Sequence, residues 1–184
     1  MNQPFFHRIA LVALVSFALL FFAGHTSATE ISGMISSTLT IMDDSELTGD
    51  VTCTVAGAPC IAFGAPRITL RLSGFTIAGP ADPLNPATGC TSTTVFAPED
   101  GIDVLQDGVA ILGPGRVRNF RRWGILLGSF ANGTSIKQVA VKHVTFSGNC
   151  FSGLQTAQIS DSKIEGNIFA RNSGGSDGFG CGGT

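Results

Sequence analysis

Gly101-Ile102-Asp103, Gly124-Ile125-Leu126 and Gly153-Leu154-Gln155 are copies of one short pattern: a small residue, an apolar residue, then one that faces the other way. Cys60-Ile61-Ala62 precedes them and Gly178-Phe179-Gly180 follows. The intervals between first residues are 101−60 = 41, 124−101 = 23, 153−124 = 29 and 178−153 = 25. Repeats of roughly 20 to 50 residues are the mark of solenoids and β-helices. The pattern therefore speaks to architecture before it speaks to any reaction.

Working outward from Gly101, Ile102 and Val104 face inward, Asp107-Gly108 turns the chain, and Val109 and Ile111 face in again. Gly113-Pro114-Gly115 turns once more, and Val117 faces in ahead of Asn119. The next copy runs through Ile125, a polar insertion at Ser129 to Gly133, Val139, Val141, Val144 and Phe146 to Asn149; a tighter one runs through Leu154, Ile159 and Ile164 to Asn167. Three strands per turn in the same order predict an all-β, right-handed parallel β-helix, three-sided and about five coils tall. Strands stacked at about 4.8 Å pair every amide with the coil above or below. The expected interior ladders are Ile61, Ile102, Ile125, Leu154 and Phe179; Leu70, Ile111, Val141 and Ile159; and Ile77, Val117, Phe146 and Ile164. Asn119, Asn149 and Asn167 are expected to share one corner, where asparagine accepts a left-handed backbone and bonds along the stack. Upstream, Ser37 to Met42 alternates as a strand before the polar turn Asp43-Asp44-Ser45, so residues 29–58 read as an N-terminal cap over an otherwise open edge. Residues 59–184 read as the repeats, with 80–98, which hold four prolines, as an inserted surface loop.

Residues 1–28 read as a secretory signal peptide. His7 and Arg8 precede an apolar run from Ile9 to Ala23, and Thr26-Ser27-Ala28 offers small residues for cleavage. The run covers 23−9+1 = 15 residues, short of the roughly 18 to 20 of a bilayer span, so no stable membrane span is expected after cleavage. The expected location is secreted or periplasmic. Removal leaves 184−28 = 156 residues, one domain's worth. A net charge of −2 with only 13% charged residues argues against nucleic acid as the partner. Five cysteines (Cys53, Cys60, Cys90, Cys150, Cys181) lie beyond the leader; in an oxidising compartment Cys53 and Cys60 are the favoured pair because they flank a short turn, buried free thiols being the alternative.

The segments Ile68-Thr-Leu-Arg-Leu-Ser-Gly-Phe-Thr-Ile-Ala-Gly79, Gly101-Ile102 and Val117-Arg-Asn-Phe-Arg-Arg-Trp-Gly-Ile-Leu127 resemble right-handed parallel β-helix repeat proteins of the pectin-lyase-like superfamily, over roughly residues 37 to 184. The resemblance implies the fold and an exported bacterial setting, and little about activity, since one coil architecture hosts lyases, hydrolases, adhesins and maturation factors. Because such relatives run several coils further, the chain reads as a fragment or as one whose last coil is covered by another subunit. The Asn-Thr-Asp, paired-Asp and Gly-His-Gly motifs of polygalacturonases and the Arg-x-Pro-x-x-Arg motif of pectate lyases are absent.

Among residues that carry chemistry, His143 is the one histidine beyond the leader, too few for a histidine-built zinc site. Glu99, Asp100, Asp103 and Asp107 cluster around one strand, and Asp100, Asp103 and Asp107 are the candidate ligands for Ca²⁺, the one cofactor these residues suggest. The basic cluster Arg116, Arg118, Arg121 and Arg122, with Trp123 adjacent, is the candidate ligand site. Arg116 and Arg118 flank inward Val117 and so point outward together, and stacking is expected to add Lys163 to the same face. Guanidinium groups fork onto carboxylates and sulfates, and an indole stacks on a sugar ring. The expected function is binding of an acidic polysaccharide, with processing of that polymer as its extension. A non-catalytic structural, adhesin or maturation module and a calcium-dependent lyase fragment are the alternatives; which residues would catalyse is not legible.

Overall fold

The computed structural model describes residues 28–82, 84, 90, 99–131 and 135–172. The leader Met1 to Ser27, most of the 80–98 insertion, Gly178-Phe179-Gly180 and Cys181 lie outside the described residues. Those described form strands and no helix: β1 (Thr29–Ile35), β2 (Leu39–Ile41), β3 (Ser45–Cys53), β4 (Ile61–Phe63), β5 (Thr69–Arg71), β6 (Thr76–Ala78), β7 (Ile102–Val104), β8 (Ala110–Arg118), β9 (Trp123–Leu127), β10 (Ile136–Lys137), β11 (Ala140–Ser147), β12 (Ser152–Thr156), β13 (Ile159–Ser160), β14 (Lys163–Glu165) and β15 (Ile168–Ala170). The absence of long 3.6-residue periodicity and the abundance of Val, Ile and Thr beside tight turns produce this all-β content. No described helix is long and apolar enough to cross a membrane.

All the pairings among these strands are parallel, and the strands fall into an eight-stranded, a five-stranded and a two-stranded sheet. This arrangement is compatible with a β-helix or solenoid-like fold. The five-stranded sheet runs β2, β4, β7, β9, β12 and brings Leu39, Ile61, Ile102, Ile125 and Leu154 into one column. The large sheet holds two further columns, one through Leu70, Ile111 and Val141, the other through Val51, Ile77, Val117 and Phe146. These three columns meet in the core, where Ile61, Ile102, Ile125, Leu70, Ile111, Val141, Ile77, Val117 and Phe146 are all fully buried. β1 pairs with β3 and β2 with β4, so the segment ahead of Cys53 continues the same sheets.

The last rung departs from the sequence expectation. Ile164 stands beside Val141, not Phe146; Phe169 takes the place beside Phe146, with ring centroids 5.0 Å apart; and Ile159 pairs with Ile136 in the two-stranded sheet, not with Val141. Leu154 keeps its expected place beside Ile125, but past it the rung is displaced by one column from the order expected, and Ile164 is 43% exposed.

Every non-glycine residue with positive φ among those described falls at one of three recurring corners. Arg67, Gly108, Gln138 and Asp161 each stand two residues before the in-register set Thr69, Ala110, Ala140 and Lys163. Asn119, Gly148 and Arg171 each follow the set Arg118, Ser147 and Ala170. Ser73, His143 and Gly166 mark the corner after Arg71, Lys142 and Glu165. A left-handed residue turns the chain sharply without interrupting pairing on either side.

The asparagines do not share one corner. Asn119 has φ 58°, as expected of a left-handed turn, but Asn149 sits one position later in its rung and stacks on Asn172, while Asn167 belongs to the His143 corner. Buried Asn149 accepts the Phe120 N–H at 3.1 Å and donates to the Val117 carbonyl at 3.3 Å and to Asn172 Oδ1 at 3.0 Å. Asn167 accepts from Val144 N–H and donates to the Val141 carbonyl, so both side chains stitch one rung to the next.

Candidate functional site

The rung from Gly101 lies directly on the rung from Gly124, with the Gly101 N–H donating to the Trp123 carbonyl at 2.9 Å. Residues just before each glycine are therefore superposed, which brings Glu99 and Asp100 to Arg121, Arg122 and Trp123. Asp100 Oδ1 accepts the Trp123 N–H at 3.1 Å, and its Oδ2 lies 3.6 Å from Arg122 Nη1. Glu99 accepts from Arg121 Nη1 at 3.2 Å and from the Gly57 N–H at 3.0 Å. Both carboxylates are buried, whereas the arginine side chains keep about a quarter of their surface exposed. The Arg122 guanidinium also lies 3.6 Å over the Trp123 ring, and Phe130 meets that ring at 5.6 Å and a 47° tilt.

Asp103 stands in β7 between Ala62 and Leu126, on the side of the sheet away from the Ile102 and Val104 core. Its carboxyl meets that of Asp100. Burial, followed by the negative charge of Asp100, raises Asp103 to about 8, and burial, partly offset by Arg122 and the Trp123 N–H, raises Asp100 to about 6. At neutral pH Asp103 thus keeps its proton and donates it to ionised Asp100. The cluster then carries two negative charges, on Glu99 and Asp100, against two positive charges, on Arg121 and Arg122. This is a neutralised, half-buried cross-link between rungs. Asp100 Oδ2, Asp103 Oδ1 and Arg121 Nε are buried without a hydrogen-bond partner among the described residues.

The structure divides the candidate residues into separate groups. Arg121, Arg122 and Trp123 join the carboxylates, and Trp123 already has Arg122 on its ring. Asp107 is not with Asp100 and Asp103: its Oδ1 accepts the Lys137 N–H at 3.0 Å in the next turn. Among the described residues no group of three or more His, Cys, Asp or Glu is placed to hold a metal ion. Lys163 is exposed but pairs with Ala140, away from the column of Arg116, which runs through Thr76, Thr145 and Ile168. The rung displacement that moved Ile164 moved Lys163 with it. Cys53 and Cys60 are disulfide-bonded, as are Cys90 and Cys150.

Arg116 and Arg118 are exposed and point the same way from β8. In register beside Arg116 stand Thr76 and Thr145, and beside Arg118 stand Ala78 and Ser147. Neither arginine has an ion-pair partner among the described residues. The other half of the same sheet differs: Glu46 pairs in register with Arg71, and Lys142 meets Glu165 at 3.1 Å. The exposed carboxylate beside the Arg116 half, Asp50, accepts the Thr76 N–H at 2.8 Å.

The pairing of Glu99 and Asp100 with the arginines escaped the sequence reading, although its signal was present. Glu99 precedes Arg121 by 121−99 = 22 and Asp100 precedes Arg122 by 122−100 = 22, one short of the Gly101 to Gly124 interval. Compared with protein-family models, curated proteins and solved structures, the chain matches none.

Proposed function

We propose that the chain is an exported right-handed parallel β-helix of the pectin-lyase-like kind, and that its Arg116 and Arg118 flank binds an anionic polysaccharide. The three recurring left-handed corners and three inward columns support a three-sided coil. Two disulfides suit an oxidising compartment, in keeping with the leader-like residues Met1 to Ala28. The observation that carries the binding reading is a pair of exposed arginines on a flat strip of Thr, Ser and Ala, with no carboxylate paired to them. Guanidinium groups in that setting keep their donors free for carboxylate or sulfate.

The test is retention of the purified protein on immobilised polygalacturonate, alginate and a neutral glucan at low and high salt. Retention on the two acidic polymers alone, lost at high salt, is the expected result, because exposed charge pairs are screened. Equal retention on all three, or none, overturns it. A second reading, a rigid non-catalytic module, draws on the neutralised Glu99, Asp100, Arg121 and Arg122 cross-link and on the occupied Trp123 ring, which leave that cluster structural.

A further inference from the structure

The cationic charge of the flank is confined to one rung. Arg116 and Arg118 both belong to β8, and the residues in register on the neighbouring strands are Thr76 and Ala78 on one side and Thr145 and Ser147 on the other. One rung further, beside Thr145 and Ser147, come Ile168 and Ala170. The two guanidinium groups spring from Cα atoms about 6.5 to 7 Å apart along the strand, two residues at the rise of an extended chain. Along the stacking direction, by contrast, neither column offers a second cation.

A polymer laid down the stack would meet one arginine, with neutral hydroxyls and methyls on one side of it and, past Thr76, the exposed carboxylate of Asp50 on the other. A chain laid along β8 meets both arginines with successive anionic groups, while Thr76, Thr145 and Ser147 offer hydroxyls to its flanks. We propose that the ligand crosses the stack along β8, and that a segment carrying two anionic groups fills the site. This rests on the reading of the flank as an anion-binding surface. The ligand class is an acidic oligosaccharide of two or three charged sugars, recognised internally or at a chain end.

The test is calorimetric titration of the wild-type protein with a length series of oligogalacturonates, from one to eight residues, at low salt. Affinity is expected to rise about five- to tenfold from one charge to two, then to level off by three, apart from the statistical gain from the number of binding frames per chain. A steady multiplicative rise out to eight residues would overturn the transverse placement while leaving anion binding intact. No binding at any length, together with no retention on the polymer, would overturn the binding reading itself. In the double variant R116Q/R118Q the step from one residue to two is expected to vanish. A step that persists in that variant, with its circular dichroism unchanged, would assign the contacts to other residues and overturn the proposal.

Discussion

At the scale of single residues, the carboxyl of Asp103 is held protonated at a pH where an aspartate in water, with a pKa of about 3.9, is fully ionised. Its folded pKa of about 8 lies above its unfolded value, so the folded state binds a proton that the unfolded state releases. The stability that Asp103 contributes is therefore fullest at low pH and declines as pH climbs from about 4 through about 8. Asp103→Asn keeps a donor toward Asp100 and removes this titration. Thermal melts between pH 5 and 8.5 are expected to show the wild type losing several degrees, at roughly 2–4 °C per kcal/mol for a chain of this size, while the variant keeps only the shallower decline that Asp100, raised to about 6, contributes below about pH 6 and runs level from there to 8.5. Parallel profiles for the two proteins would contradict the shared proton. Asn149 works through hydrogen bonds alone. Asn149→Ala strands the Phe120 N–H and the Val117 carbonyl in a buried corner, and a loss of about 2–3 kcal/mol in chemical denaturation is expected.

At the scale of elements, the glycines of the repeat are required by close approach between rungs. A Cβ at Gly101 would sit 2.4 Å from the Gly124 carbonyl oxygen, and one at Gly124 would sit 2.4 Å from that of Gly153. Gly124→Ala is accordingly expected to cost about 3 kcal/mol or more, a core-overpacking loss, read as a lowered denaturation midpoint; a near-neutral result would contradict the stacking of these rungs. The two disulfides differ in the loops they close, with sequence separations of 7 and 60. In the chain-entropy view, removing Cys90–Cys150 costs about 4 kcal/mol and removing Cys53–Cys60 about 2. Paired Cys→Ser variants compared by denaturant titration are expected to keep that order. The column of the five-stranded sheet was readable because Ile102, Ile125 and Leu154 each directly follow a glycine at which a Cβ would clash, and Ile61 follows the small residue Cys60 at the same place. The final rung was not, because Ile159, Ile164 and Phe169 recur every five residues and fit adjacent columns equally well. The two-residue strands β10 and β13 leave too little alternation to fix which column each serves.

At the scale of the whole molecule, stacking decides which charges remain available. Four arginines within seven residues look like one basic patch in the sequence, but the fold divides them. Arg121 and Arg122 meet Glu99 and Asp100 from the preceding rung, while Arg116 and Arg118, between small neutral neighbours, keep their charge for solvent or ligand. The composition did not reveal this, since it depends on which residues 22 positions apart come into register. The most direct measurement is retention on polygalacturonate at low salt of the wild type beside the double charge reversal R116E/R118E, with circular dichroism confirming that both are folded. The account expects the wild type to be held and the reversed variant to elute with the unretained fraction. Equal retention of the two would contradict the assignment of anion binding to this flank.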